Sequence, residues 1–356
     1  MSLLSHLVPF SHLVPALALS TALAALAEPA NAQDEPVLDV VASFSVLGDM
    51  TSRVGGERVN VSTLVGPGAD AHVYEPSPAD AARVAEADVV ILNGLGFEGF
   101  IDRLIEVSGT DAPVIIATAQ IDPLEIDERG GKHAQGEHGD EHEDDHANET
   151  AEADGHDHDD RDDGRAREAS ANGHDHHHHG KHDPHAWHSL SNARLYVAAI
   201  ADGLCAADPD GCETFRLNAS NYTSELDALD TELGETIGAL PADRRTLIVS
   251  HNAFGYLAQA YDMTFLAAQG VSTEAEASAA DVARLIDQIR EDGAAAVFVE
   301  NIADPRLIEQ IANETNVAIG GTLYSDALSP ADGPASTYID MMRHNAATIA
   351  SAVAGS

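Results

Sequence analysis

The chain has 356 residues, 44% of them apolar, which suits about two domains with ordinary hydrophobic cores. Its 18 basic and 60 acidic residues give a formal charge of −42, so nucleic acid and anionic membrane surfaces are excluded as natural partners by repulsion. Cations remain as partners, and a solvated, salt-adapted surface is the plain alternative for the acidity.

Residues 1–32 run apolar from Leu13 to Ala27 and end in Ala30-Asn31-Ala32 before the polar Gln33-Asp34-Glu35, the layout of a cleaved secretory signal. The segment ahead of the apolar run carries His6 and His12 but neither Lys nor Arg, which is atypical for such a signal. No cysteine follows the run, so a periplasmic chain without a lipid anchor is expected. No other apolar run approaches the roughly 18 residues that a membrane span requires.

From Val37 onward β-rich runs alternate with helical ones: "VLDVVASF", a helix over about Leu47–Val54, "VNVSTLV", a helix after "SPAD", "DVVILNG", a helix near Phe100–Val107 and "PVIIAT". The alternation resumes after residue 245 with "TLIVSH", a helix over Ala253–Tyr261, "MTFLAA", "SAADVARLIDQIRED", "AAVFVE", "PRLIEQIANET", "NVAIGG" and a closing helix near Ala335–Val353. Such alternation means βαβ units, hence an α/β fold with mainly parallel sheets in two lobes. Between them, Cys212–Leu240 lacks proline and places Phe215, Leu217, Leu226, Leu229, Leu233 and Ile237 at mixed helical spacings, predicting one long amphipathic helix. The expected division is 33–211 for the first lobe, 212–240 for the linking helix and 241–356 for the second lobe. In open α/β sheets ligands bind beyond the carboxyl ends of the strands, which here points to the cleft between lobes.

The first lobe is interrupted at 132–183 by a segment containing His133, His138, His142, His146, His156, His158, His174, His176, His177, His178, His179 and His182 among many Asp and Glu, with no Leu, Ile, Val or Phe. Nothing in it offsets the entropy of ordering a backbone, so a disordered loop is expected. Its composition suits several weak, exchanging metal sites; a merely hydrated low-complexity insertion is the competing reading. The sequence contains two cysteines, Cys205 and Cys212, around a Pro-Asp-Gly turn, a pattern that fits a local disulfide in an oxidising compartment, or half of a metal site.

Four further segments put metal-ligand side chains at strand ends or in adjoining loops. His72 follows a Gly-Pro-Gly turn in "VGPGADAHVYEPSPAD", and His185 is framed by Pro184 and Trp187 in "HDPHAWHSL" with His188 three residues on. His251 ends the β-rich run in "TLIVSHNAF", and Asp326 lies in "GGTLYSDALSPADG" after a strand expected over Asn316–Gly320. Glu75 in "HVYE" is a possible secondary ligand or imidazole partner, as is His188, and Glu300 ends "AVFVE" with an open role.

Together "HVYEPSP", "DPHAWHS", "SHNAFGYLA", "VSTEAEASAADVARL" and "TLYSDALSPADGPASTYIDMM" resemble the metal-binding solute-binding proteins of bacterial ABC importers, the cluster A-I family. Within it they are most similar to the zinc branch of ZnuA type and its AztC-like group, and the resemblance spans essentially the whole mature chain. It implies two α/β lobes bridged by one long rigid helix, a metal site in the interlobe cleft, and His72, His185, His251 and Asp326 as ligands. Three imidazoles and one carboxylate suit Zn2+. Manganese-binding relatives place a carboxylate where this chain has His251, although Cu2+ or Ni2+ also accept such donors.

The resulting expectation is a periplasmic protein that captures Zn2+ and hands it to an inner-membrane ABC permease, with the His-rich loop collecting or sensing zinc. A periplasmic metallochaperone and a monomeric state are further expectations. A zinc buffer or adhesin-like protein is an alternative. A zinc hydrolase is disfavoured, because a fourth protein ligand would fill the open position that metal-bound water needs and G-x-S-x-G does not occur.

Overall fold

The architecture follows from the apolar strands. In the computed structural model, which describes residues 37–126 and 181–355, β1 (Leu38–Phe44), β2 (Val59–Val65), β3 (Val89–Leu92) and β4 (Val114–Ile116) form a parallel sheet in the order β2-β1-β3-β4. A second parallel sheet, ordered β6-β5-β7-β8, contains β5 (Thr246–His251), β6 (Thr264–Gln269), β7 (Ala296–Glu300) and β8 (Ile319–Leu323). All four residues of β3 and five of the six in β5 are buried, as expected of central strands covered on both faces by helices. The strand orders match between lobes, and in each sheet the first strand lies beside the third, where the winding reverses and a crevice opens at the carboxyl ends.

Around the first sheet lie α1 (Ser45–Gly55), α2 (Pro78–Glu86), α3 (Ile101–Ser108) and α4 (Leu190–Ala207); with the second go α6 (Gly255–Tyr261), α7 (Ala279–Asp292), α8 (Arg306–Thr315) and α9 (Tyr338–Gly355). Helix α5 (Cys212–Gly238) has 27 residues, about 40 Å at 1.5 Å per residue, and contacts α1, α4, α6 and α9. Its buried stripe is Phe215, Tyr222, Leu226, Leu229, Leu233 and Ile237. Leu217, expected in that stripe, is 60% exposed: two residues from Phe215 lies on the opposite side of a helix, and Tyr222 fills the place on the buried face.

The α4–α5 corner is fixed by chemistry that the sequence concentrates there. Cys205 and Cys212 are joined by a disulfide, and Arg58 meets Asp208 Oδ2 through Nε at 3.0 Å and Nη2 at 2.7 Å. Asp208 Oδ1 accepts the Gly211 N–H, and a β-carbon at Gly211 would lie 2.4 Å from both Arg58 and Asp208, so glycine is required for this close approach.

One continuous apolar core runs from Val40 and Val90 through Trp187, Leu226 and Phe254 to Tyr338 and Ile349, across both lobes. A second, smaller core of Ile248, Leu266, Ile286, Val297, Ile308 and Ile311 lies on the other face of the second sheet. Strand β8 starts three residues later than expected, because Asn316 takes a left-handed conformation (φ 59°) that caps α8 before the strand begins. Residues 1–32 and most of 132–183 lie outside the described residues. Where that segment leaves and returns, Ile126 N–H donates to Lys181 C=O (3.0 Å) and Asp183 N–H to Leu124 C=O (2.8 Å), pairing its two ends antiparallel. Among the described residues no helix is long and apolar enough to cross a membrane.

Candidate metal centre

The site grows out of the carboxyl ends of the strands. His251 is the last residue of β5 and Glu300 the last of the adjacent β7. Glu300 Oε1 accepts the N–H groups of Ser250 (2.7 Å) and His251 (3.0 Å), and its Oε2 lies 2.5 Å from His251 Nδ1, a close ion pair without the alignment of an ideal hydrogen bond. This backing turns His251 Nε2 toward the cleft.

His185 is set by an analogous arrangement. Asp183 Oδ1 lies 2.7 Å from His185 Nδ1 and accepts the His185 N–H at 2.9 Å, while the Asp183 carbonyl accepts from Tyr256 Oη (2.9 Å). Asn93, just past β3, donates to the Pro184 carbonyl (2.9 Å) and accepts from Tyr196 Oη. Buried Glu98 holds the turn that follows, accepting from Ser43 Oγ, Asn93 N–H and Gly94 N–H; burial pushes its carboxyl up. That turn delivers Phe97, whose ring meets His72 edge-on at 4.9 Å and also packs on Phe44 and Trp187.

His72 sits in the loop after β2, where the Asp70 carboxylate accepts its N–H at 2.9 Å. Downstream, Tyr74 Oη and the Ser77 N–H both donate to Asp80, which anchors the loop to the start of α2. Burial opposes the Asp80 charge, but bonds from Ser77, Arg83 and Tyr74 hold its carboxyl down at about 2. Asp326 follows β8; the preceding Ser325 carbonyl accepts from Trp187 Nε1 at 3.0 Å, so a first-lobe indole positions a second-lobe carboxylate.

One ligand atom from each of His72, His185, His251 and Asp326 can be chosen so that all lie within 4.8 Å of one another. His72 Nε2 is 3.3 Å from His185 Nε2 and 3.3 Å from Asp326 Oδ2; Asp326 Oδ2 is 3.2 Å from His251 Nε2, and Oδ1 is 3.6 Å from His185 Nε2. Tetrahedral coordination with bonds of about 2.0–2.1 Å separates neighbouring donors by about 3.3–3.4 Å, so these spacings suit a four-coordinate cation. Both Asp326 oxygens and His251 Nε2 are buried without an aligned hydrogen-bond partner, an unusual cost unless an ion satisfies them. In the protein without metal, burial disfavours the charged forms of both His251 and Asp326. The Glu300 and Asp326 carboxylates nevertheless hold His251 well above its usual value, and His251 and His185 hold Asp326 well below.

The structure does not bring every candidate together. Glu75 is exposed and lies outside the four-residue group, because the loop turns its residue away from the cleft after His72. His188 is fully buried but also outside the group: residues 186–188 form a 3-10 turn rather than part of α4, and its ring packs on Phe254 at 4.7 Å. Burial first, then the nearby His185, pushes His188 down to about 4. Asp183 and Glu98 were not singled out from sequence; the sole local hint for Asp183 is its place two residues before His185 next to proline.

Two parallel α/β lobes around a buried set of histidines and a carboxylate define a metal-binding solute-binding protein rather than an enzyme. The family described as "Zinc-uptake complex component A periplasmic" matches residues 40–352, and the chain belongs to it. Its relatives include the manganese-binding lipoprotein MntA of Halalkalibacterium halodurans, 30% identical over 97% of this chain and 98% of that protein. Another is the iron-binding protein YfeA of Yersinia pestis, 30% identical over 92% and 90%. Among solved structures, the periplasmic zinc-binding protein TroA from Treponema pallidum superposes with a TM-score of 0.72, at 26% identity over 89% of this chain and 99% of that one. The chain is thus the extracytoplasmic, metal-binding component of an ABC transporter, which implies a permease partner.

Proposed function

We propose that the protein captures Zn2+ with His72, His185, His251 and Asp326 and delivers it to a zinc permease. The donor spacing carries the reading: one ligand atom from each of the four residues lies within 4.8 Å of the others, and the three imidazole-to-Asp326 approaches and the His72–His185 pair are 3.2–3.6 Å, which suits a small tetrahedral ion. Three imidazoles and one carboxylate favour zinc over manganese, which prefers a higher share of oxygen donors. The names of relatives include manganese and iron, so the ion is tested directly. Zinc and manganese titrations against competing chelators, together with the visible spectrum of the Co2+ form, should give tight zinc binding, a much weaker manganese site and intense four-coordinate cobalt absorption. A weak, six-coordinate cobalt spectrum with manganese bound comparably to zinc would assign the site to manganese.

In this reading the His-rich segment collects zinc for the cleft and the signal segment directs export. Both lie outside the described residues, apart from Lys181–Asp183. Relatives such as MntA of Halalkalibacterium halodurans and PsaA of Streptococcus mitis are named as lipoproteins.

A further inference from the structure

The ligands are held from two sides of the cleft, and the two sides differ. On one side the cross-lobe hydrogen bonds are buried: Trp187 Nε1 to the Ser325 carbonyl (3.0 Å) and Tyr256 Oη to the Asp183 carbonyl (2.9 Å). On the other, His72 is the one ligand of the four whose side chain keeps any exposure, 5% against 0% for His185, His251 and Asp326. Its loop extends from β2, an edge strand of the first sheet, and faces the loop after β6, an edge strand of the second.

Those two loops meet at one side-chain hydrogen bond. Thr273 Oγ1 donates to Asp70 Oδ2 at 2.5 Å, and Asp70 Oδ1 accepts the His72 N–H at 2.9 Å. The second-lobe loop is itself shaped by Gln269 Nε2 donating to the Ala275 carbonyl and by the Glu274 N–H donating to Ser272 Oγ. Its base is tied to the residue after His251 by the Asn252 N–H donating to the Gly270 carbonyl at 2.9 Å. A run of short contacts therefore links one ligand to another: His251 and Asn252, Gly270 to Thr273, Asp70, then His72. Away from the ligand contact of His72 with Asp326, the His72 loop is also tied to the second lobe by the main-chain bond from the Gly68 N–H to the Leu328 carbonyl.

We propose that Thr273 is a positioning residue for His72, acting through Asp70, and that this half-buried bond holds the exit side of the cleft shut and sets how fast bound metal leaves. The inference rests on the four-ligand reading. A hydrogen bond to a carboxylate is stronger than a neutral one, but at a partly exposed rim water competes for it, whereas the buried ties across the cleft face no such competition. Opening therefore begins where Thr273 meets Asp70, and breaking that contact and the Gly68 main-chain bond leaves His72 held to the second lobe only at the metal centre.

The test uses the full chain loaded with one equivalent of Zn2+ or Co2+, chased with excess chelator in a stopped-flow instrument, and compares Thr273→Val, Thr273→Ser and His251→Ala with the unaltered protein. Thr273→Val keeps the shape and loses the hydroxyl; it should raise the slow dissociation rate roughly five- to tenfold, the loss of one bond for which water competes, with the melting temperature of the metal-free protein lowered by no more than a few degrees. Thr273→Ser restores the donor and should dissociate within about twofold of the unaltered protein. Equal rates for Thr273→Val and the unaltered protein, or Thr273→Ser as fast as Thr273→Val, would overturn the inference. A His251→Ala protein that retains tight binding would instead remove the four-ligand reading beneath it.

Discussion

At the scale of the residue, the carboxylates behind the imidazoles matter as much as the ligands. Glu300 fixes the ring of His251 through Nδ1 and its main chain at once, and partners of this kind typically contribute 10–100-fold to metal affinity. Glu300→Gln should therefore weaken zinc binding by at least about tenfold in a chelator competition, with His251 itself unchanged. The same environment sets a pH dependence. His251 is raised above its usual 6.5 by Glu300 and Asp326 despite burial, which favours its protonated form in the protein without metal, whereas a ligand imidazole must be neutral. Zinc binding should then be accompanied by proton release from this group, seen as a buffer-dependent enthalpy in calorimetry, and affinity should fall as pH drops from 8 to 5. For the metal-free fold the sign is opposite. The raised His251 contributes stability below about 6.5 that fades as pH climbs through its folded value; the lowered Asp326 contributes above 3.8 and fades as pH falls through its folded value. Counted once as a shared pair, they stabilise the metal-free protein most between these limits. The increase in melting temperature on adding zinc should thus shrink on acidification.

At the scale of the element, ligand position and fold stability are separable. Helix α4 begins just after the His185 turn and ends at the disulfide corner 18 residues on, about 27 Å away at helical rise. Replacing Cys205 and Cys212 with serine should cost about 2 kcal/mol of unfolding free energy, less wherever the Arg58–Asp208 pair restrains the same turn, while the zinc affinity stays unchanged. Leu229 on α5, 1% exposed between the lobes' packing faces, has the larger stabilising role: Leu229→Ala should cost about 3 kcal/mol in a denaturant melt. The elements were also where sequence patterns read most clearly. Strand and helix alternation located β1 to β7 and α5 because central parallel strands are continuous apolar runs and a helix stripe is periodic. It misplaced β8, since left-handed capping by Asn316 is a backbone decision that apolar periodicity does not carry, and it assigned Leu217 to a stripe that Tyr222 occupies.

At the scale of the whole molecule, the four residues grouped at the centre arrive from four separate segments, His251 from the end of β5 and the others from loops, and all four lie among the described residues. The chain ends flanking residues 127–180 are already paired, Ile126 with Lys181 and Leu124 with Asp183, so a short turn can join them. A deletion of 127–180 should keep one tight zinc ion per chain by calorimetry and lose only weaker additional ions; disappearance of the tight ion would move the site into the deleted segment. A single apolar core threading both lobes along α5 implies limited hinge motion, so small loop movements rather than wide lobe opening should accompany metal release.

The sequence by itself determined the α/β class, the long helix and the candidate set of three histidines and one aspartate, because strand burial, helical periodicity and short motifs such as "DPHAWHS" are local properties of the chain. Only the tertiary structure decided which candidates converge. His188 and Glu75 stand three residues from His185 and His72, and Asp183 two from His185, but a 3-10 turn sends His188 onto Phe254, the loop carries Glu75 outward, and Asp183 alone turns back onto His185. The pairing of Glu300 with His251, 49 residues apart, and of Trp187 with Ser325, 138 apart, depends on strand order and lobe packing, which no local pattern encodes.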